Sequence, residues 1–240
     1  MSIQAEITTL LRSQAHRWLP GLSRWAGVRH ELAFWDEWIL YRGLSWNSDY
    51  VSRLDPNTPL QDSYRHFVDD MEVSRVRILD VGSGPLTHLG KVHPTKRLEI
   101  TAVDPLAEAY DAILSKHGVM PLVRTQHAVA ERLVEYFSPG SFDLVTARNC
   151  LDHASDPLEA IRQILLTTRK GGVAVLEHVE NEGEKEGYKG MHAWNFFVEN
   201  NRLLVRGRGE RVDISETLSR LGDFHAMSDG GWVNAWIRRT

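Results

Sequence analysis

Arg77-Ile-Leu-Asp-Val-Gly-Ser-Gly-Pro-Leu-Thr87 reads as a buried strand that runs into a tight glycine turn and then into a helix. A second strand, Leu98-Glu-Ile-Thr-Ala-Val103, follows, and Asp104 stands at its tip about 20 residues beyond the glycines. An open α/β sheet holds an adenosine-containing cofactor with this arrangement. Gly82 and Gly84 allow turn conformations and a close backbone approach that a Cβ would block. Asp104 can accept hydrogen bonds from two ribose hydroxyls, and Asp80 closes the first strand directly under the turn.

A dinucleotide fingerprint wants a further glycine three residues after Gly84, and Thr87 stands there. Pro85 suits the first turn of a helix but lacks the free amide that a pyrophosphate would use. The segment Asp80-Val-Gly-Ser-Gly-Pro85, with Ala102-Val-Asp-Pro105 after it, resembles the first motif and ribose-binding site of class I S-adenosylmethionine-dependent methyltransferases. Further stretches carry the resemblance from about residue 75 onward: Gln126-His-Ala-Val-Ala-Glu131, Ser141 to His153 with Asp156-Pro157, and Lys170-Gly-Gly-Val-Ala-Val-Leu-Glu177. Leu86 departs from it, standing where the family carries a third glycine. The resemblance implies a Rossmann-like sheet, S-adenosylmethionine as cofactor, and methyl transfer as the activity. Its cofactor contacts fall on Asp80, Gly82, Ser83, Gly84, Pro85, Asp104, Pro105, Leu106, Ala130, Glu131, Asn149 and Cys150. Within that set, Glu131 is placed near the adenine amine, and Asn149 and Cys150 flank the methionine part.

Alternating strands and helices from residue 75 predict a doubly wound, mostly parallel seven-stranded α/β sheet. Strands are expected at 76–81, 98–103, 120–125, 142–147 and 172–178, and helices at 86–92, 106–117, 129–136 and 157–168. Residues 1–72 read as an N-terminal helical extension, and residues 73–240 as the cofactor-binding domain. In the extension, Ile3, Ile7, Leu10, Leu11 and Trp18 mark a first helix closed by Pro20-Gly21. A second helix runs from about Val28 to Arg42, a loop follows over 54–59, and a third helix spans 60–71. The acidic stretch 180–187 reads as a mobile loop. An inserted hairpin lies near 193–207, with a short helix at 213–221 and closing strands at 223–228 and 231–238.

Charged residues make up 25% of the 240, with a net charge of −4, so no basic footprint for nucleic acid is present. The single cysteine, Cys150, fits a reducing compartment without a disulfide framework. No apolar run approaches the roughly 20 residues of a membrane span, and the N-terminus lacks the plan of a secretion signal. The expectation is a cytoplasmic protein acting on a small-molecule substrate, with no nucleic-acid or membrane partner; a homodimer is left open.

Ligands of open α/β sheets lie beyond the carboxyl ends of the strands, which here gathers the loops 82–87, 104–106, 148–156 and 178–195. His153, His178 and His192 fall in or beside those loops and are the candidate catalytic bases, since imidazole titrates near neutral pH. Arg148-Asn149-Cys150-Leu151 stands where an Asn-Pro-Pro-Tyr segment would serve amide or exocyclic-amine methylation. An oxygen acceptor is therefore expected: a phenol, a sugar hydroxyl or a carboxylate. Trp35, Trp38, Tyr41, Trp46 and Trp194 could shield the cleft, with the N-terminal helices as its lid, or could simply be core. Arg202, Arg206, Arg208 and Arg211 could clamp an anion or be neutralised by the acidic loop before them. No metal is expected, because the spacing of Asp152, His153 and His178 matches no dedicated site. Two alternatives stay open: a binding protein that holds the cofactor without turnover, and a nicotinamide-dependent oxidoreductase. Pro85, Thr87 and the lack of a Tyr-x-x-x-Lys pair oppose the latter.

Overall fold

The computed structural model of the chain describes residues 20–207, 209 and 211–240. Three helices come first: α1 (Pro20–Leu40), α2 (Asn47–Leu54) and α3 (Asp62–Asp69). Alternation then sets in with β1 (Arg75–Val81), β2 (Arg97–Asp104), α4 (Ala107–Lys116) and the two-residue β3 (Gln126–His127). A 3-10 turn at Ala130–Arg132 leads into α5 (Leu133–Tyr136) and β4 (Phe142–Arg148). A second 3-10 turn, Leu151–His153, precedes α6 (Pro157–Thr167) and β5 (Thr168–Val179). The remainder is α7 (Glu182–Lys185), β6 (Asn195–Glu199), β7 (Arg202–Arg206), β8 (Arg211–Asp213), α8 (Ile214–Thr217), β9 (Gly222–Asp229) and β10 (Trp232–Arg239).

Seven of these strands make one sheet in the order β3-β2-β1-β4-β5-β10-β9. It is parallel from β3 to β5, and β10 runs antiparallel to both β5 and β9. The expected doubly wound, Rossmann-like architecture is therefore present. Its strand order reverses between β1 and β4, which puts the ligand crevice at the carboxyl ends of those two strands.

The apolar runs explain why both faces are covered. Val76 and Ile78 join Leu144, Val173 and Val175 in one buried layer; Leu79 and Val81 join Val145, Ala147, Ala174 and Leu176 in the other. Successive strand residues point to opposite faces, so an unbroken apolar run needs cover on both sides. Tyr64, Phe67 and Val68 of α3 cover the first face, and Ile161, Ile164 and Leu165 of α6 the second. Each such fully buried aliphatic side chain contributes about 1.5–3 kcal/mol relative to exposure. A separate antiparallel sheet, β6-β7-β8, lays Phe196, Leu203 and Val205 on that second layer. Its hairpin turns through Asn200 and Asn201, both left-handed at φ 51° and 59°, the conformation that a two-residue hairpin turn needs.

Several expected elements differ. The strand at 120–125 is not formed; the edge strand is Gln126–His127 alone. Pro121 cannot donate to a ladder, and Met120 lies 86% exposed with nothing to cover it. No helix forms over 86–92, because a distant strap takes its backbone groups. Gln61 accepts from the Gly90 amide (3.0 Å) and donates to the His88 carbonyl (2.6 Å), while the Leu60 amide donates to Val92 (2.9 Å). Pro20 and Gly21, read as a helix end, lie within α1. The helix expected at 129–136 is a 3-10 turn plus one short turn, and that at 213–221 shrinks to Ile214–Thr217. The acidic stretch 180–187 contains α7, and α2 and β8 were not anticipated. The helix read from Ile3 to Trp18 and Arg208 lie outside the described residues. Among the described residues, no helix is long and apolar enough to cross a membrane.

Candidate functional site

The glycine turn is built by register. Gly82 and Ser83 amides both donate to the Val103 carbonyl, at 2.8 and 3.1 Å, which locks the end of β1 to the end of β2. Gly82 and Gly84 have φ of +68° and +64°, a region that only glycine enters freely. Space demands glycine as well: a Cβ on Gly82 would fall 2.4 Å from Cβ of Cys150, and one on Gly84 would fall 2.8 Å from Cζ2 of Trp35. Asp104 accepts from the Leu106 amide (2.9 Å) and the Gly84 amide (3.3 Å), so its carboxylate is fixed beside the turn. Burial pushes its pKa up to about 6, against the two amides that pull it down.

Asp80, under the turn, accepts from Thr87 Oγ1 (2.6 Å) and Thr146 Oγ1 (3.1 Å). Burial raises it to about 6 as well. Ser83 Oγ lies 3.1 Å from Thr125 Oγ1, which donates to the Gly84 carbonyl at 2.8 Å. Pro85 is buried in the turn, and Pro105 is exposed at the start of the next. Ala130 opens the 3-10 turn, where Glu131 accepts from the Ser155 and Asp156 amides at 2.7 and 3.4 Å. Glu131 thus anchors the loop after β4.

This half of the site fits an adenosine-containing cofactor without phosphate. A buried carboxylate faces two glycines whose Cβ positions are closed off. No helix follows the turn, so no helix N-terminus is available there for a pyrophosphate.

The loop after β4 carries the other half. Asn149 adopts φ 48° and ties three elements together: its amide donates to the Glu177 carbonyl (2.7 Å), its Oδ1 accepts from Val179 (3.0 Å), and its Nδ2 donates to Glu182 (3.1 Å). Cys150 packs on Gly82 and donates its thiol to the Val81 carbonyl at 3.2 Å. Two residues later Asp152, 1% exposed, turns inward to a pair of histidines. His192 Nδ1 lies 2.7 Å from Asp152 Oδ2, and His153 Nε2 lies 3.1 Å from the same nitrogen and 3.5 Å from Oδ2. The Ala193 amide donates to the Asp152 carbonyl (3.0 Å), clamping the two loops together. The hydrogen bond to Asp152 raises the pKa of His192. Burial works to raise Asp152, but the His192 hydrogen bond and the charges of the three histidines hold it below the usual range.

His178 is equally buried, stacked on Phe196 at 4.3 Å, and neither ring nitrogen has a hydrogen-bond partner. Burial lowers its pKa to about 4, so it stays neutral near pH 7. Of the three candidate histidines, His153 and His192 meet directly, and His178 makes no hydrogen bond to either. Glu182 was missed from sequence. Burial raises it to about 7, and its Oε2 is buried without a partner.

The five aromatics do not form one wall. Trp38 is buried, Trp35 caps Gly84, Tyr41 and Trp46 lie exposed, and Trp194 donates to the Ala154 carbonyl at 2.9 Å. Arg53 of α2 went unnoticed in the sequence. It donates to the Leu86 carbonyl (2.7 Å) and lies over the rings of Trp38 and Trp35, at 5.2 and 5.8 Å. The arginines of the hairpin are paired: Arg202 with Asp213 and Glu216, Arg206 with Glu184, and Arg211 with Glu199. Among the described residues, these three hairpin arginines are each neutralised by a carboxylate.

A family model described as a methyltransferase domain matches residues 47–218. No curated protein matches the chain. Among solved structures, the chain is similar to the CurJ carbon methyltransferase, with TM-score 0.51 and 14% identity over 72% of this chain. It spans about half of that protein's length, 51%. It is also similar to an S-adenosylmethionine-dependent methyltransferase from Thermotoga maritima described as a possible histamine N-methyltransferase, with TM-score 0.49, 17% identity, and coverage of 90% and 100% of the two chains. An O-methyltransferase family protein from Burkholderia thailandensis gives TM-score 0.46 and 16% identity over 73% and 55%.

Proposed function

The chain belongs to the methyltransferase-domain family of class I S-adenosylmethionine-dependent enzymes, and we propose, from the groups at its crevice, that it methylates an oxygen nucleophile of a small acceptor. When bound, the cofactor supplies an electrophilic methyl group on a sulfonium. Asp104 would hold the ribose diol, Gly82 to Pro85 would line the turn beneath it, and Pro105, Leu106, Ala130 and Glu131 would border the adenine. Cys150, seated on Gly82, would border the methionine end.

One observation carries the choice of acceptor. The loop whose Cys150 packs on the glycine turn delivers, two and three residues later, Asp152 and His153, and there they meet His192. Methyl transfer is an in-line displacement, so an acceptor that bears no proton needs only to be positioned. A hydroxyl must also lose its proton, and a carboxylate-braced imidazole group at the cleft suits that step. The acceptor proton leaves to this group, and the Asp152 charge stabilises the positive charge gained. Positioned proton transfer of this kind is worth about 10²- to 10⁴-fold in rate.

The test is incubation with labelled S-adenosylmethionine and a panel of phenols, sugars, carboxylic acids and amines. Labelled oxygen-methylated product is expected, and His192→Ala should lower its formation within that range while leaving cofactor affinity within twofold. Product formed only at nitrogen or carbon would remove the oxygen reading.

A further inference from the structure

We propose that Asp152 Oδ2, His153 Nε2 and His192 Nδ1 form a binding site for a single divalent transition-metal ion, with three protein ligands on one face and the remaining positions open. The three atoms make a triangle with sides of 2.7, 3.1 and 3.5 Å. Neighbouring ligands of a cation with bonds of about 2.1 Å lie roughly 3.0 Å apart in octahedral geometry and about 3.4 Å apart in tetrahedral geometry. The triangle fits that spacing.

Hydrogen bonding alone serves the triangle poorly. A ring nitrogen offers either one proton or one lone pair in the ring plane. His192 Nδ1 can therefore satisfy Asp152 or His153 at full strength, not both. A cation accepts all three lone pairs at once. A second observation lies beside the first: Asp152 Oδ1 and both ring nitrogens of His178 are buried without a hydrogen-bond partner, an unusual concentration of unsatisfied polar atoms. The ligands are also held in advance, since the Ala193 amide and the Trp194 indole bind the Asp152 and Ala154 carbonyls.

Two imidazoles and one carboxylate with open positions suit zinc, iron(II), cobalt(II) or manganese(II) over magnesium or calcium, which favour all-oxygen sets. The consequence for catalysis rests on the oxygen-acceptor reading: with the ion bound, the two imidazole nitrogens are ligands rather than bases, and an acceptor hydroxyl taking an open position would ionise through ligation and release its proton to solvent. Metal binding itself does not depend on that reading.

The experiment uses the full chain, stripped with a chelator and titrated with cobalt(II), followed by visible absorption and calorimetry. A single equivalent with a ligand-field band is expected. His153→Ala, His192→Ala and Asp152→Asn should each weaken binding by more than the roughly 10- to 100-fold that loss of an outer-shell partner costs. His225→Ala, a residue stacked on Trp236 away from the group, should change nothing. Both histidines of the site are partly exposed, so their truncation should keep the native circular-dichroism spectrum, with a lower melt in His192→Ala, which leaves Asp152 without that partner; Asp152→Asn keeps the buried shape. No stoichiometric binding, or affinity equal to the parent's in the His153→Ala and His192→Ala proteins, overturns the site. Metal binding with no methylated product from any acceptor would leave this site standing and remove the oxygen-acceptor reading.

Discussion

Asp104 concentrates the cofactor question in one carboxylate. Its oxygens already accept from two amides, and each retains a lone pair for a hydroxyl. Asp104→Asn replaces one acceptor with a donor, and two hydrogen bonds to a charged group are weakened. Cofactor affinity should fall by about 2–4 kcal/mol, read by titration calorimetry; affinity within error of the parent would remove the ribose assignment. Protonation acts in the same direction, so affinity should also decline as pH falls through about 6. Stability runs the opposite way. Asp80 and Asp104 have folded-state values raised above 3.8, so their contribution to stability is complete below that value and is lost as pH rises through about 6. Asp80→Asn escapes the ionisation of a buried group. Relative to the parent, its melting temperature should therefore climb between pH 4.5 and 8, by an amount equivalent to about 1–3 kcal/mol. A pH-independent difference would mean that Asp80 ionises freely.

Elements show how far local sequence reaches. β1, β4 and β5 were legible because an apolar run bounded by turns allows little else in a parallel sheet, and the tip of β2 followed from its spacing to the glycines. β3 and the region after the glycine turn were not legible. For β3, Pro121 and the uncovered Met120 cut the strand short; after the glycine turn the outcome is set by a partner elsewhere in the chain, the 58–61 strap. Gly90 records that dependence: a Cβ there would fall 1.9 Å from the Pro59 carbonyl oxygen. Gly90→Ala should therefore cost more than about 3 kcal/mol in denaturant unfolding, beyond the usual range for a point change. A small loss would mean that the strap shifts at little cost. α1 raises a second element-level question, since Trp35 caps Gly84 and packs edge-on to Tyr110, ring centroids 6.3 Å apart. If α1 is a lid on the cofactor, Trp35→Ala should weaken cofactor binding about tenfold or more, while Trp46→Ala, 56% exposed, should leave stability within about 0.5 kcal/mol. Unchanged affinity in Trp35→Ala would make α1 only a packing element.

At the scale of the whole molecule, the least legible feature is the buried chain of polar groups that joins the two halves of the crevice. Tyr64 of α3 donates to Glu177 of β5, 113 residues away, and its hydroxyl lies 2.9 Å from His88 Nε2, in the loop that leaves the glycine turn. His88 Nδ1 in turn lies 3.9 Å from Asp80, and Arg148 at the end of β4 lies 3.7 Å from Glu177. No motif spans such separations; the 40 residues between Asp152 and His192 hid their meeting for the same reason. Burial lowers the pKa of His88 well below its ordinary value, so it is neutral, and with Tyr64 donating to Glu177 its Nε2 must carry the proton. Tyr64 therefore satisfies one buried group on each side. Tyr64→Phe strands both, and should destabilise the protein by about 1–3 kcal/mol. Glu177→Gln alone should also destabilise, by leaving the charge of Arg148 less well matched. Made together, the two changes should cost less than their sum, with a coupling of about 0.5–3 kcal/mol in a double-mutant cycle read by denaturant unfolding. Strict additivity would mean that α3 and β5 are joined by apolar packing alone, and that the cofactor and acceptor halves of the crevice are held in register by the sheet without this link.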